Sequence, residues 1–260
     1  MDNIDHRQLP SAAWDSHVHV FDPANYPYSP SRAYTPEPAT FASRLGFNRN
    51  LTAHNTSTNI VLVQPSPYGT DNSAIEDLPR KHIAYGDNHK QDLRGTVVFT
   101  TDNVSEQQVS TWNALRVNTE SGGNATDGYT ELIRTIRKTA EKGQESQELG
   151  MPAVYWRRGL GSGEDPLTQP GFSTLLRLAK TGKVFIKISG FYRSSKLTSG
   201  GYDDLEPIVK KFVEEMLEQL IWGSAWPHTG SGTNRTEAKK YTPEKFRVVD
   251  DAAVLQNIKT

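Results

Sequence analysis

Short apolar runs alternate with amphipathic stretches along most of this chain, and that alternation restricts its fold more than any other feature. WDSHVHVF (14–21), NIVLVQP (59–65), RGTVVFT (94–100), ALRVN (114–118), KVFIKISG (183–190) and LIWGS (220–224) are rich in β-formers. NIVLVQP is an apolar run without alternation, the mark of a strand covered on both faces. Between these runs, Asn72 to Arg80, TDGYTELIRTIRKTAEKG, GFSTLLRLAKTG and EPIVKKFVEEMLEQL read as helices, 105–111 suits a short one with Ser105 as cap, and DDAAVLQNIKT is helix-like. Strands that take turns with helices predict an α/β fold with a parallel sheet and right-handed crossovers. A closed (β/α)8 TIM-barrel-like frame needs eight strands in roughly 250 residues. The chain has 260 residues but only about six clear strands. The pattern falters over 144–171, where Gly, Pro, Arg and Glu dominate and no convincing apolar strand appears, so strands 5 and 6 are the doubtful ones. The expectation is one domain over 1–260, an incomplete barrel irregular at 144–165.

Composition narrows the function. The formal charge is −1 with no long basic run, which gives no footprint for nucleic acid. No apolar run reaches membrane-spanning length, and MDNIDHRQLP is not a signal peptide. Cysteine is absent, which removes disulfides, a thiol nucleophile and thiolate metal ligands. Asn-x-Ser/Thr triplets such as Asn103-Val104-Ser105 read as chance matches without a secretory signal. The expectation is a soluble cytoplasmic protein with a small-molecule partner.

Four segments could carry chemistry. His17 and His19 stand at i and i+2 of a strand, so both imidazoles share a face; such a pair can hold a metal or polarise a carbonyl, or can be two buried histidines satisfied by hydrogen bonds. Ser66, Tyr68, Gly69, Thr70, Asp71 and Asn72 follow the second strand, either to meet a polar ligand or to form an ordinary turn with Asp71 or Asn72 capping a helix. Arg116 shares a face with Asn118, as Lys187 does with Ser189, and Tyr192 and Arg193 follow. A cation inside a parallel sheet is costly unless paired or facing a site, so these point to an anionic ligand or to structural ion pairs. His228 follows Pro227 in WGSAWPHTG, where it touches ligand or bonds a backbone carbonyl.

Together, WDSHVHVFDP, SRAYTP, VLVQPSPYGTDN, LRVN, VFIKISGFYR and IWGSAWPHT resemble the amidohydrolase-related family (amidohydrolase 2), nearest to its branch of 2-pyrone-4,6-dicarboxylate lactonases and their fungal relatives. The matches are collinear over roughly 12–120 and 166–252. The resemblance implies a distorted (β/α)8 barrel and hydrolysis of a lactone or other carboxylated ring compound. In that branch a strand-8 aspartate activates water, histidines polarise the carbonyl and arginines grip carboxylates. No metal is required there, although other members bind zinc or manganese and some decarboxylate aromatic acids. Carried over, His17 and His19 flank the reacting carbonyl, Tyr34 and Ser66 line the pocket, and Arg116 and Arg193 hold carboxylates. Lys187 and His228 join them as substrate-binding candidates.

The departures are specific. Ala225 stands where the family carries its aspartate. The family places a histidine on the fifth strand and usually another on the sixth, yet no histidine occurs between His89 and His228. The pattern is that of a truncated or degenerate copy. It predicts a lactonase-like hydrolase impaired at Ala225; the alternatives are an inactive relative that binds a small carboxylate or a partner, and a metal-dependent decarboxylase. A divalent metal at His17 and His19 is the less favoured reading, since a zinc hydrolase needs about three protein ligands. A barrel short of two strands would also expose two sheet edges and aggregate.

Overall fold

The computed structural model describes residues 9–10, 13–52, 58–84, 92–99, 114–117, 153–154, 166–168, 172–182, 184–230 and 235–259. The helices expected at 105–111 and 126–143, and most of 144–165, lie outside them. All six expected strands are present: β1 (Trp14–Val18), β3 (Asn59–Val63), β4 (Leu93–Phe99), β5 (Ala114–Val117), β7 (Phe185–Ser189) and β8 (Leu220–Gly223). Two-residue strands β2 (Thr35–Pro36), β6 (Ala153–Val154) and β9 (Pro243–Glu244) complete the set. β6 corrects the reading of 144–171 as strandless; a strand of two residues is too short to leave an apolar run.

Every named strand pairing is parallel. One sheet runs in the order β1-β3-β4-β5 and another in the order β6-β7-β8. β1 and the chain leaving β8 join them. Val18 forms a parallel bridge with Trp226. Around it, Ala225 N donates to His17 O and His19 N to Trp226 O, each at 2.9 Å. The seven longer-range strands therefore form one arc, β5-β4-β3-β1-β8-β7-β6, in which the first strand sits beside the last. The α/β class with parallel sheets holds; among the described residues no pairing closes β5 onto β6.

Apolar clusters line both halves of this arc. Val18, Ile60, Leu62 and Val97 pack with Ile75 and Leu78 of α2 (Ser73–Ala84). Ile186 and Ile188 pack with Leu175 of α3 (Phe172–Ala179) and Phe212 of α4 (Glu206–Met216). Each such aliphatic side chain contributes about 1.5–3 kcal/mol on burial, which explains why the helices lie where their apolar faces predict. A helix with no counterpart among the expected elements, α1 (Phe41–Leu51), begins after Thr40, whose hydroxyl accepts from Ser43 N at 3.3 Å. α5 (Asp251–Lys259) ends the described chain. Among the described residues no helix is long and apolar enough to cross a membrane.

The Pro- and Tyr-rich loop after β1 is tied to the segment after β8. β2 pairs with β9, Thr35 Oγ1 donates to Lys240 O at 2.8 Å, and the Phe21 and Phe246 rings stack at 5.8 Å. Arg32 lies 4.7 Å over the Tyr241 ring.

Candidate active site

β1 carries a register irregularity between Asp15 and Val18, where three residue steps oppose two on β3. Such bulges re-aim side chains near sites. Past it, the two imidazoles do meet: His17 Nε2 and His19 Nε2 are 3.1 Å apart, with the rings edge to face. His19 Nδ1 lies 2.7 Å from Val63 O, the last residue of β3. A carbonyl only accepts, so Nδ1 carries the proton, and in the neutral form of the ring Nε2 is bare toward His17. His17 Nε2–H then donates to it. The tautomers of both rings follow from one backbone carbonyl.

Asp15 holds the base of this strand. Its Oδ2 accepts from Arg44 Nη2 of α1 at 2.7 Å, both side chains wholly buried. Its Oδ1 accepts from Ser224 N at 2.8 Å and from His17 N at 3.2 Å. One carboxylate thus pins β1, α1 and the end of β8. Burial pulls the Arg44 guanidinium below its ordinary range, and Asp15 opposes that pull. Lys187 of β7 donates to Ser16 O at 2.9 Å, so its ammonium meets β1 at a backbone carbonyl.

Three residues after Val63 comes Ser66, whose side chain lies close enough to Tyr34 to lower its hydroxyl. Tyr34 is buried, which pushes its hydroxyl above the usual phenol range, and the Arg235 guanidinium opposes the shift. Arg235 lies 3.4 Å over the Tyr34 ring centroid. Arg193 is close enough to act on the same hydroxyl and donates to Thr229 O at 2.9 Å and to the Thr229 hydroxyl. Tyr34, Ser66 and Arg193 thus share one neighbourhood. The Arg116 backbone lies in β5, and its side chain is outside the described residues. In the Ser66–Asn72 segment the capping reading holds for Asp71, while the Asn72 side chain turns to β4 instead. Asp71 Oδ1 accepts from Ser73 N at 3.1 Å, and Asn72 exchanges two hydrogen bonds with Val98 at 2.9 Å each.

His228 sits apart from the imidazole pair. Its Nε2 is 3.2 Å from Asp251 Oδ1, both side chains buried, and its ring meets Tyr192 and Phe47 edge-on at 5.6 and 5.9 Å. Burial raises the Asp251 carboxyl, against the pull of His228. Both residues line a cleft of about 360 Å³ between α1, the turn after β8 and residues 246–251. His17 and His19 do not line that cleft, so cavity size alone would mislead; the tautomer-locked pair is the better marker of chemistry.

Ala225 is buried with φ +60°, and offers no proton acceptor. Among the described residues no group of three His, Cys, Asp or Glu side chains could hold a metal ion. Two imidazoles fall short of the three ligands of a zinc hydrolase. Sequence reasoning missed Asp15, Arg44, Arg235 and Asp251. Each acts through a partner at least 9 positions away, and no local pattern marks such a pairing.

Residues 147–253 match the family described as "Amidohydrolase". The chain is 26% identical to a 4-sulfomuconolactone hydrolase of Hydrogenophaga intermedia, over 85% of this chain and 77% of that protein. It is 25% identical to a 2-pyrone-4,6-dicarboxylate hydrolase of Comamonas testosteroni, over 85% and 78%. A crystal structure of an Agrobacterium tumefaciens protein in its apo form superposes with a TM-score of 0.65 at 16% identity, covering 96% of this chain and 89% of that one. The resemblance read from the motifs is thus an amidohydrolase resemblance that extends to lactone hydrolases and to an experimentally solved fold.

Proposed function

We propose that this chain is a lactonase-like hydrolase for a carboxylated ring lactone, built on a (β/α)8 frame and weakened at Ala225. The observation that carries the reading is the His17–His19 pair, its tautomers set by Val63 O, at the end of the first strand and beside the last. Two similar proteins whose names state a lactone substrate with acidic substituents support it. In this reading His17 Nε2–H turns from its neighbour to the lactone carbonyl oxygen. Arg116, Arg193 and Lys187 supply positive charge for the substrate's acids, and Tyr34 and Ser66 line the pocket. Water adds to the carbonyl carbon, the ring C–O bond breaks, and the departing oxygen takes a proton. The products are a new carboxylate and the freed hydroxyl or its keto form.

The weak point is the proton acceptor for water. A general base typically contributes a factor of about 10²–10⁴, and Ala225 supplies none. Binding and proton transfer are separable, so a carboxylate-binding relative without turnover is the second reading, and the methyl group at position 225 favours it. The deciding experiment follows the ultraviolet absorbance of 4-sulfomuconolactone and 2-pyrone-4,6-dicarboxylate with the natural chain and with Ala225→Asp. Hydrolysis should rise by about tenfold or more in the variant. A folded Ala225→Asp protein with no gain on either lactone would overturn the hydrolase reading.

A further inference from the structure

Arg235 belongs to no motif, yet it sits where the loops after β1 and β8 meet. Its guanidinium stacks on Tyr34, whose hydroxyl both Ser66 and Arg193 are placed to lower. Arg193 donates to Thr229 O at 2.9 Å, and Arg235 reaches the next carbonyl, Gly230 O, at 3.5 Å. Two guanidiniums therefore hang from consecutive carbonyls of one strand-end segment, with a phenol and a hydroxyl beside them. Their partners differ. Arg193 bonds Thr229 and the Tyr192 hydroxyl, and no carboxylate among the described residues pairs with it. Arg235 is gripped by Glu244 through two parallel hydrogen bonds, Nε to Oε2 at 2.8 Å and Nη2 to Oε1 at 2.9 Å.

We propose that Arg235 is a specificity-determining residue that receives the second acidic group of a doubly acidic substrate, and that Glu244 fills its fork in the free protein as an internal substitute. The inference rests on the lactone reading above. Fork-to-carboxylate geometry is the arrangement a substrate carboxylate or sulfonate would adopt. The pair is accessible for exchange, since the Arg235 and Glu244 side chains keep 25% and 29% of their exposure. An ion pair so open to water contributes little on its own, and replacing one carboxylate by another on the same fork is close to an even trade. A β-carbon at Gly230 would meet Glu244 Oε1, so the glycine leaves room for the carboxylate in this position. With the first acid on Arg193, a ring that carries a second acid displaces Glu244; a ring with one acid leaves it in place.

The test uses benzene-1,3-dicarboxylate and benzoate as non-hydrolysable probes, titrated calorimetrically against the full chain. Glu244→Gln removes the competing charge and keeps the shape. It should tighten the dicarboxylate about fivefold relative to benzoate, a shift near 1 kcal/mol. Arg235→Met should erase the preference for two acids over one, read as the ratio of the two affinities. Thermal melts confirm that each variant folds. If Glu244→Gln gains nothing for the dicarboxylate, the inference is overturned. If the dicarboxylate preference depends on Arg193 and survives Arg235→Met, the inference is overturned while the lactone-site reading stands. If neither probe binds any of these proteins and Ala225→Asp hydrolyses neither lactone, both fall together.

Discussion

Ala225 pays a conformational cost that an aspartate would pay less. At φ +60° its β-carbon crowds the following carbonyl, which costs an L-residue roughly 1–2 kcal/mol. Asp and Asn are enriched several-fold in this region. The backbone at position 225 thus suits Asp or Asn better than Ala, and it is held by Ala225 N on His17 O and His228 N on Ala225 O, both 2.9 Å. Ala225→Asp should therefore melt at or near the temperature of the natural chain. Ala225→Val, branched at the β-carbon, should lose about 2 kcal/mol or more, which a thermal melt reads as several degrees. Equal melting of both variants would show that the conformation is not strained. The buried Asp15–Arg44 pair makes a second residue-scale prediction. Arg44 Nε and Nη1 have no hydrogen-bond partner among the described residues, so Asp15 carries the compensation for that charge. Asp15→Asn should cost about 3–5 kcal/mol in a urea titration, and the double variant with Arg44→Met should recover part of the loss.

At the scale of elements, α5 is docked by a titrating contact. Asp251, at its first position, pairs with His228 in the turn after β8. Burial raises its carboxyl above the ordinary 3.8, so the folded chain holds this proton more tightly than the unfolded one. Its contribution is therefore fully present below about pH 3.8 and is lost as pH rises through the higher folded value. Asp251→Asn, which cannot ionise, should flatten that part of the stability-versus-pH curve; an unchanged curve would refute the assignment. The elements also show what the sequence makes legible. Strands of four or more residues were readable because each carries its own apolar run. β2, β6 and β9 were not, because two residues each, with a proline in β2 and in β9, show no period. α1 was hidden by Gly46 and a weak apolar face, and the Thr40 cap was its only local signal. In the site, the His17–His19 contact follows from the i, i+2 spacing on one strand. Arg235–Glu244 and His228–Asp251 pair 9 and 23 positions apart within the chain after β8, at no helix or strand period, and the stacking of Arg235 on Tyr34 exists only once the loops after β1 and β8 have met.

The whole molecule depends on the seam between its first and last strands. The sheet β1-β3-β4-β5 and the sheet β6-β7-β8 meet where Val18 bridges Trp226, and the imidazole pair, Ala225 and Asp15 all lie along that line. Close approach there requires Gly223: a β-carbon at that position would stand 2.6 Å from His17 Cβ and 2.7 Å from His17 N. Both are far inside van der Waals contact, and the backbone nitrogen cannot swing aside as a flexible side chain could. Gly223→Ala should therefore pry β8 from β1, cost about 1–3 kcal/mol as overpacking does, and lower Tm by roughly 2–4 °C for each kcal/mol in a chain of this size. Because His17 is the residue struck, the same variant should also shift the imidazole proton resonances of His17 and His19 in a nuclear magnetic resonance spectrum. An alanine here that left both Tm and those resonances unchanged would mean that the two sheets do not meet as tightly as the bridge requires. The frame that carries the proposed chemistry would then have to be redrawn.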